Sequence, residues 1–139
     1  MDSKTSGTKP CILIVDDTRE NRELLQVLLA SVECTLLMAQ DGEAALAIAA
    51  NQHLDLILCD VMMPGLTGYE VVACLRADPA TRGIPVIICS SLDDPNSRSY
   101  ATTVGADDVI QKPLSRAKLL PRVEKWLKGR GVAGRPTPP

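Results

Sequence analysis

Five short apolar runs recur along this chain, each followed by a stretch patterned like a helix. The runs are CILIV at 11–15, CTLLMA at 34–39, DLILC at 55–59, PVIIC at 85–89 and a weaker one at 107–111. Runs this short and this aliphatic read as strands buried on both faces. The stretches between them are too long for hairpin turns. Thr18 is placed to cap a helix running to about Ser31, with Leu24, Leu25, Leu28 and Leu29 on its inner face. Asp41 is placed to cap GEAALAIAANQ, and Thr67 opens a helix through GYEVVACLRA that DPATRG breaks. Asp94, with Pro95 at the first helical position, opens a polar helix that ends at about Val104 on Gly105. Ser115 starts the last helix, whose apolar stripe is Leu119, Leu120, Val123, Trp126 and Leu127, with Pro121 falling inside it. Strand then helix, five times over, predicts an α/β fold: a doubly wound, five-stranded parallel sheet covered by helices on both faces.

One domain accounts for the chain. Residues 1–10 read as a flexible lead, 11–128 as the domain, and GRGVAGRPTPP (129–139) as a disordered tail or linker. Fifteen basic and 17 acidic side chains give a net charge of −2, which offers no electrostatic case for nucleic-acid binding. No apolar run approaches the roughly 18 residues of a membrane span, and MDSKTSGTKP lacks a signal-peptide core, so the expected location is cytoplasmic with no membrane contact. The five cysteines form no CxxC pair and mostly sit in apolar runs, so they read as buried free thiols. Only Tyr69, Tyr100 and Trp126 are aromatic, a poor supply for a flavin-stacking site. His53 reads as an incidental residue in a surface turn.

The chemistry gathers at the strand ends. The first strand ends at Asp16 and Asp17, the third at Asp60, the fourth at Ser90 and Ser91, and the fifth at Lys112. The second is followed only by Gln40 and the cap Asp41. Open parallel sheets bind ligands beyond the strands' carboxyl ends, where the strand order reverses. In the order 2-1-3-4-5 the second strand lies at the edge, and the other four deliver polar groups to one crevice. Three carboxylates repel one another unless a cation intervenes, and an oxygen-rich cluster of this kind suits Mg2+. Lys112 and the Ser90 hydroxyl add donors for an anion. Together these groups point to phosphoryl transfer onto a carboxylate. Taken singly, the acid pair fits a helix N-terminus and Lys112 a solvated charge.

Four features, in order, carry a resemblance: the acid pair in IVDD, the DxxMPxxxG pattern in DVMMPGLTG, the hydroxyl residue after PVIIC, and KP at 112–113. Over about residues 11–128 the chain resembles the receiver domains of two-component response regulators. The resemblance implies a flavodoxin-like order 2-1-3-4-5. It makes Asp60 the phosphoacceptor and gives Mg2+ the ligands Asp17, Asp60 and the Met62 carbonyl, with Asp16 acting through a bound water. Ser90 matches the hydroxyl that binds the phosphoryl group, and Lys112 the lysine that pairs with its oxygen. It also implies that the Lys112–Pro113 bond is often cis. The implied function is a phosphoacceptor signalling module, not a metabolic enzyme. Its donor is a histidine kinase or phosphotransfer protein, and its output partner is unnamed.

The chain also departs from that pattern. Val109 stands where the family often carries a switching aromatic, and Leu114 where Phe often follows KP. Output is therefore expected to rely on the 90–96 loop and the fourth helix, near Tyr100. Met62 and Leu92 flank the path of the attacking water in the family, and their apolar character predicts slow self-dephosphorylation. A Mg2+-dependent aspartyl-phosphate phosphohydrolase is the alternative reading, but the haloacid-dehalogenase kind wants a DxD whose second acid falls on Met62. A flavin-binding module of similar fold is a third.

Overall fold

The computed structural model describes residues 9–91 and 94–131. Strands and helices alternate as β1 (Cys11–Val15), α1 (Arg19–Leu28), β2 (Thr35–Ala39), α2 (Gly42–Asn51), β3 (Leu56–Asp60), α3 (Gly68–Ala77), β4 (Val86–Ser90), α4 (Ser97–Val104), β5 (Asp108–Gln111) and α5 (Arg116–Gly131). All pairings are parallel, and the sheet runs β2-β1-β3-β4-β5, as expected.

The sheet divides the core in two because alternate strand residues face opposite sides. Leu13, Val15, Ile57, Cys59, Val86 and Ile88 pack with Ala45 and Ala49 of α2 and with Val71, Val72 and Leu75 of α3. Ile12, Ile14, Leu56, Leu58, Ile87 and Cys89 pack with Leu25 and Leu28 of α1 and with Leu119 and Val123 of α5. Each Val, Leu or Ile among them contributes roughly 1.5–3 kcal/mol by leaving water.

Local chemistry sets most helix ends. The Asp41 carboxylate accepts the Ala44 N–H at 2.7 Å. Thr67 and Glu70 form a reciprocal capping box at the start of α3. Gly105 closes α4 with φ +99°, which glycine adopts without a side-chain clash. Pro121 lies inside α5 without ending it, held between the fully buried Leu119 and Val123.

Several expectations need correction. The first helix stops at Leu28, and Leu24 is 44% exposed where the inner face was expected. α4 begins at Ser97 after Asn96, so Asp94 does not cap it. The Asp94 Oδ1 accepts the Asn96 N–H just before the helix at 3.3 Å, and its Oδ2 accepts the Tyr69 hydroxyl, distant in sequence, at 2.7 Å. Cys74 is exposed, whereas Cys59 and Cys89 are buried, and all five cysteines are free. Met62 is 71% exposed, while Met63 is buried. α5 continues to Gly131, three residues into the segment expected as tail. Residues 1–8 of the expected lead, 132–139 of the expected tail, and Leu92 lie outside the described residues.

Aspartates hold the amino-terminal edge of the sheet. Asp55 accepts the Cys11 N–H at 2.8 Å and lies 3.0 Å from His53 Nε2. Asp107 accepts the Val86 N–H at 2.8 Å and an Arg76 N–H at 2.7 Å. Arg76 also donates to the carbonyls of Gly105, Arg82 and Ile84. Asp108 accepts from Arg122 at 2.6 Å and from Trp126 Nε1 at 3.2 Å. Among the described residues no helix is long and apolar enough to cross a membrane.

Candidate functional site

The opposite edge gathers the residues singled out in the sequence. Val15 is in register with Cys59, so Asp16, next after Val15, stands beside Asp60, the last residue of β3. Asp60 is in turn in register with Cys89, which puts Ser90 at the next position on β4. Lys112 follows β5, and its backbone N–H donates to the Ser90 carbonyl at 2.7 Å. The β2 end contributes backbone alone: the Ala39 carbonyl accepts the Asp16 N–H at 3.1 Å.

Carboxylate oxygens of Asp16, Asp17 and Asp60 lie within 4.8 Å of one another, with Asp17 exposed and the other two buried. Lys112 Nζ donates to Asp60 Oδ1 at 2.9 Å and lies 3.6 Å from Asp16 Oδ2. Burial pushes the Asp60 carboxyl above the usual range; the Lys112 bond pulls it down and Asp16 pushes it further up. Burial alone would lower Lys112, but the bond and charge of Asp60, with Asp16, hold the ammonium above its ordinary value. One ammonium thus serves two buried carboxylates with a third beside them, and a net negative charge is left over. That donor set, all hard oxygen, fits a divalent cation such as Mg2+.

Ser90 is fully buried, and its Oγ has no hydrogen-bond partner. Buried hydroxyls are nearly always paired, so an orphan one beside the Lys112 segment marks a place where a ligand oxygen can supply the bond. The Lys112–Pro113 bond is cis.

Two structural choices hold Asp60 still. β3 is buried along its whole length, ending on Asp60 itself. Gly68, at the start of α3, donates its N–H to the Val61 carbonyl at 2.9 Å. A Cβ at Gly68 would stand 2.2 Å from the Asp60 carbonyl oxygen, so only glycine lets α3 seat there. Leu24 lines a cavity of about 180 Å³ with Leu58, Cys89, Lys112, Pro113 and Leu114, immediately beside Asp60. Burial pushes the Cys89 thiol there up to about 12, so it is a packing group and not a nucleophile.

Two groups were missed in the sequence. Thr18, Asn21 and Arg22 all bond to Asp16 from the first turn of α1. Thr18 was visible only as a cap, and no motif marks the other two. Tyr69, on α3, donates to Asp94 and meets Tyr100 edge-on with ring centroids 5.5 Å apart. Burial, with Asp94 beside it, holds the Tyr69 phenol well above its ordinary value, so it stays a donor. No local pattern could link residues 69, 94 and 100.

Known proteins match this arrangement. Residues 12–124 match the response regulator receiver domain family. The chain is 35% identical to protein PilG of Pseudomonas aeruginosa over 86% of its own length and 87% of PilG. It is 42% identical to the response regulator PleD of Caulobacter vibrioides over 81% of its length, and spans a quarter (25%) of PleD. The receiver domain of the sensor histidine kinase PA1611 from Pseudomonas aeruginosa, solved with a magnesium ion coordinated in its active-site cleft, superposes with a TM-score of 0.79. That domain is 28% identical, and the match covers 87% of this chain and 99% of that one. The chain belongs to the response regulator receiver domain family, the phosphoacceptor signalling modules of two-component systems.

Proposed function

We propose that Asp60 is the phosphoacceptor of this domain. The observation that carries the reading is the cluster itself: three carboxylates within 4.8 Å, with the Lys112 ammonium 2.9 Å from Asp60. The donor is a histidine kinase or a phosphotransfer protein. An Asp60 carboxylate oxygen bonds to phosphorus as the bond from phosphorus to the donor's nitrogen breaks. Asp17, Asp60 and the Met62 carbonyl would hold Mg2+, with Asp16 reaching it through water. The chemistry Mg2+ supplies when bound is neutralisation of the carboxylates and of the phosphoryl oxygens. Lys112 turns from Asp60 to a phosphoryl oxygen, and Ser90 gains there the partner it lacks. The domain assists its own phosphorylation and hydrolysis and converts no separate metabolite. Its setting is the cytoplasm.

Val109 is buried and carries no ring to swing, so the signal leaves through the loop after β4 and through α4. The Tyr69–Asp94–Tyr100 contacts support that route, because they tie the first turn of α3, next to Asp60, to that loop and to α4. Phosphorylation is expected to shift the amides of residues 91–104, and unchanged shifts there would refute the route. Met62, exposed beside the site, supports slow self-dephosphorylation. The deciding experiment is intact mass after incubation with Mg2+ and a small acyl phosphate. The wild type is expected to gain one phosphate and Asp60→Ala none; no gain in the wild type would overturn the proposal.

A further inference from the structure

Asp16 is held by an unusual number of donors, and all come from the start of α1. Its Oδ1 accepts the Thr18 N–H at 3.0 Å, the Thr18 hydroxyl at 3.1 Å and Asn21 Nδ2 at 3.3 Å. Its backbone carbonyl accepts Arg22 at 2.6 Å. One carboxylate oxygen is therefore saturated. The other, Oδ2, is left facing Lys112 at 3.6 Å.

The Thr18 hydroxyl is diverted from the role its position invites. Thr18 has the extended backbone of an N-cap, yet its side chain makes no cap bond. Asp41 and Thr67, in the same place on α2 and α3, do bond the first turn of their helices. A missing cap bond weakens a helix, and a local rule broken beside a site is where function displaces stability.

We infer that Thr18 and Asn21 are positioning residues for the cation site, clamping Asp16 through Oδ1 so that Oδ2 is presented to the ion's water shell. The inference rests on the reading of the acidic cluster as a Mg2+ site. Without the clamp the Asp16 carboxylate can rotate both oxygens toward Lys112, and the donor set loses its arrangement. Neither residue touches the reacting atoms; both act through Asp16.

The test is Mg2+ titration calorimetry on the whole unphosphorylated chain, paired with thermal unfolding in EDTA. Thr18→Val and Asn21→Ala are each expected to weaken Mg2+ affinity about tenfold, the usual scale for groups that orient a metal ligand. Thr18→Ser, which keeps the hydroxyl, is expected to bind like wild type. In EDTA, Thr18→Val loses its bond to Asp16 but no cap bond, so it should melt only slightly below wild type. If Thr18→Val melts well below wild type while Mg2+ affinity is unchanged, the hydroxyl serves the helix and the clamp is overturned. Wild-type affinity in both Thr18→Val and Asn21→Ala overturns it as well. If the wild type itself takes up no Mg2+, the cation reading of the cluster fails, and the clamp falls with it.

Discussion

The two edges of the sheet carry the same residue type in opposite circumstances. At the amino-terminal edge Asp107 is matched by Arg76 and a backbone N–H, and Asp108 by Arg122 and Trp126. At the carboxyl edge Asp16 and Asp60 share the ammonium of Lys112 with Asp17 beside them, and the Ser90 hydroxyl has no partner. The first edge is a set of closed circuits, and closed circuits stabilise. The second leaves charge and hydrogen-bonding capacity unspent, which fits an added cation and anion. The contrast separates residues matched within the fold from residues whose proposed role is to meet a ligand.

Breaking the matched edge is expected to have the largest effect. Arg76→Ala removes the cation beside Asp107 and its bonds to three carbonyls, four hydrogen bonds at roughly 0.5–1.5 kcal/mol each, and should cost about 3 kcal/mol in urea unfolding. A loss within 0.5 kcal/mol, the usual scale of a surface change, would erase the contrast.

At the unmatched edge the sign reverses. The folded-state pKa of Asp60 is raised, chiefly by burial, so its ionisation opposes folding. The favourable contribution of the neutral form is complete below the unfolded value of about 4 and is lost as pH rises through the raised folded value. Asp60→Asn removes that loss. It should be more stable than wild type at neutral pH without Mg2+, by roughly 1 kcal/mol, and the difference should vanish in acid. Adding Mg2+ at ten times its Kd should return about 1.4 kcal/mol to the wild type and little to the variant. An Asn variant less stable than wild type at pH 7 would show that the Lys112 pair outweighs burial.

Ser90→Ala is the smallest effect on stability. The orphan hydroxyl contributes no bond to the resting fold, so its removal should change the unfolding free energy by less than about 0.5 kcal/mol. The response of residues 91–104 to phosphorylation should nevertheless be lost in that variant. A large destabilisation would mean that Ser90 is a structural residue after all.

Much of this was legible before the fold was known. Strand runs are continuous and apolar, so their positions and parallel pairing could be read, the resemblance implied their order, and strand ends named Asp16, Asp17, Asp60, Ser90 and Lys112. Helix starts were legible where the cap is local, as at Asp41 and Thr67. The start of α4 lies two residues later than expected because Asp94 bonds the N-cap residue Asn96 and reaches Tyr69, 25 residues away, instead of bonding the first helical turn. Thr18 looked like a cap for the same reason: its hydroxyl turns backward to Asp16.

The sequence by itself determined the class of fold and the composition of the site, because hydrophobic period and the residues that end each strand are local properties. Only the tertiary structure decided how the charges are shared. That one lysine serves two buried acids, that Ser90 is left without a partner, and that α1 clamps Asp16 all depend on register between strands and on helix placement. Electrostatic and hydrogen-bond energies fall away over a few ångströms, so they are settled by which residues meet in space, and no spacing along the chain records that.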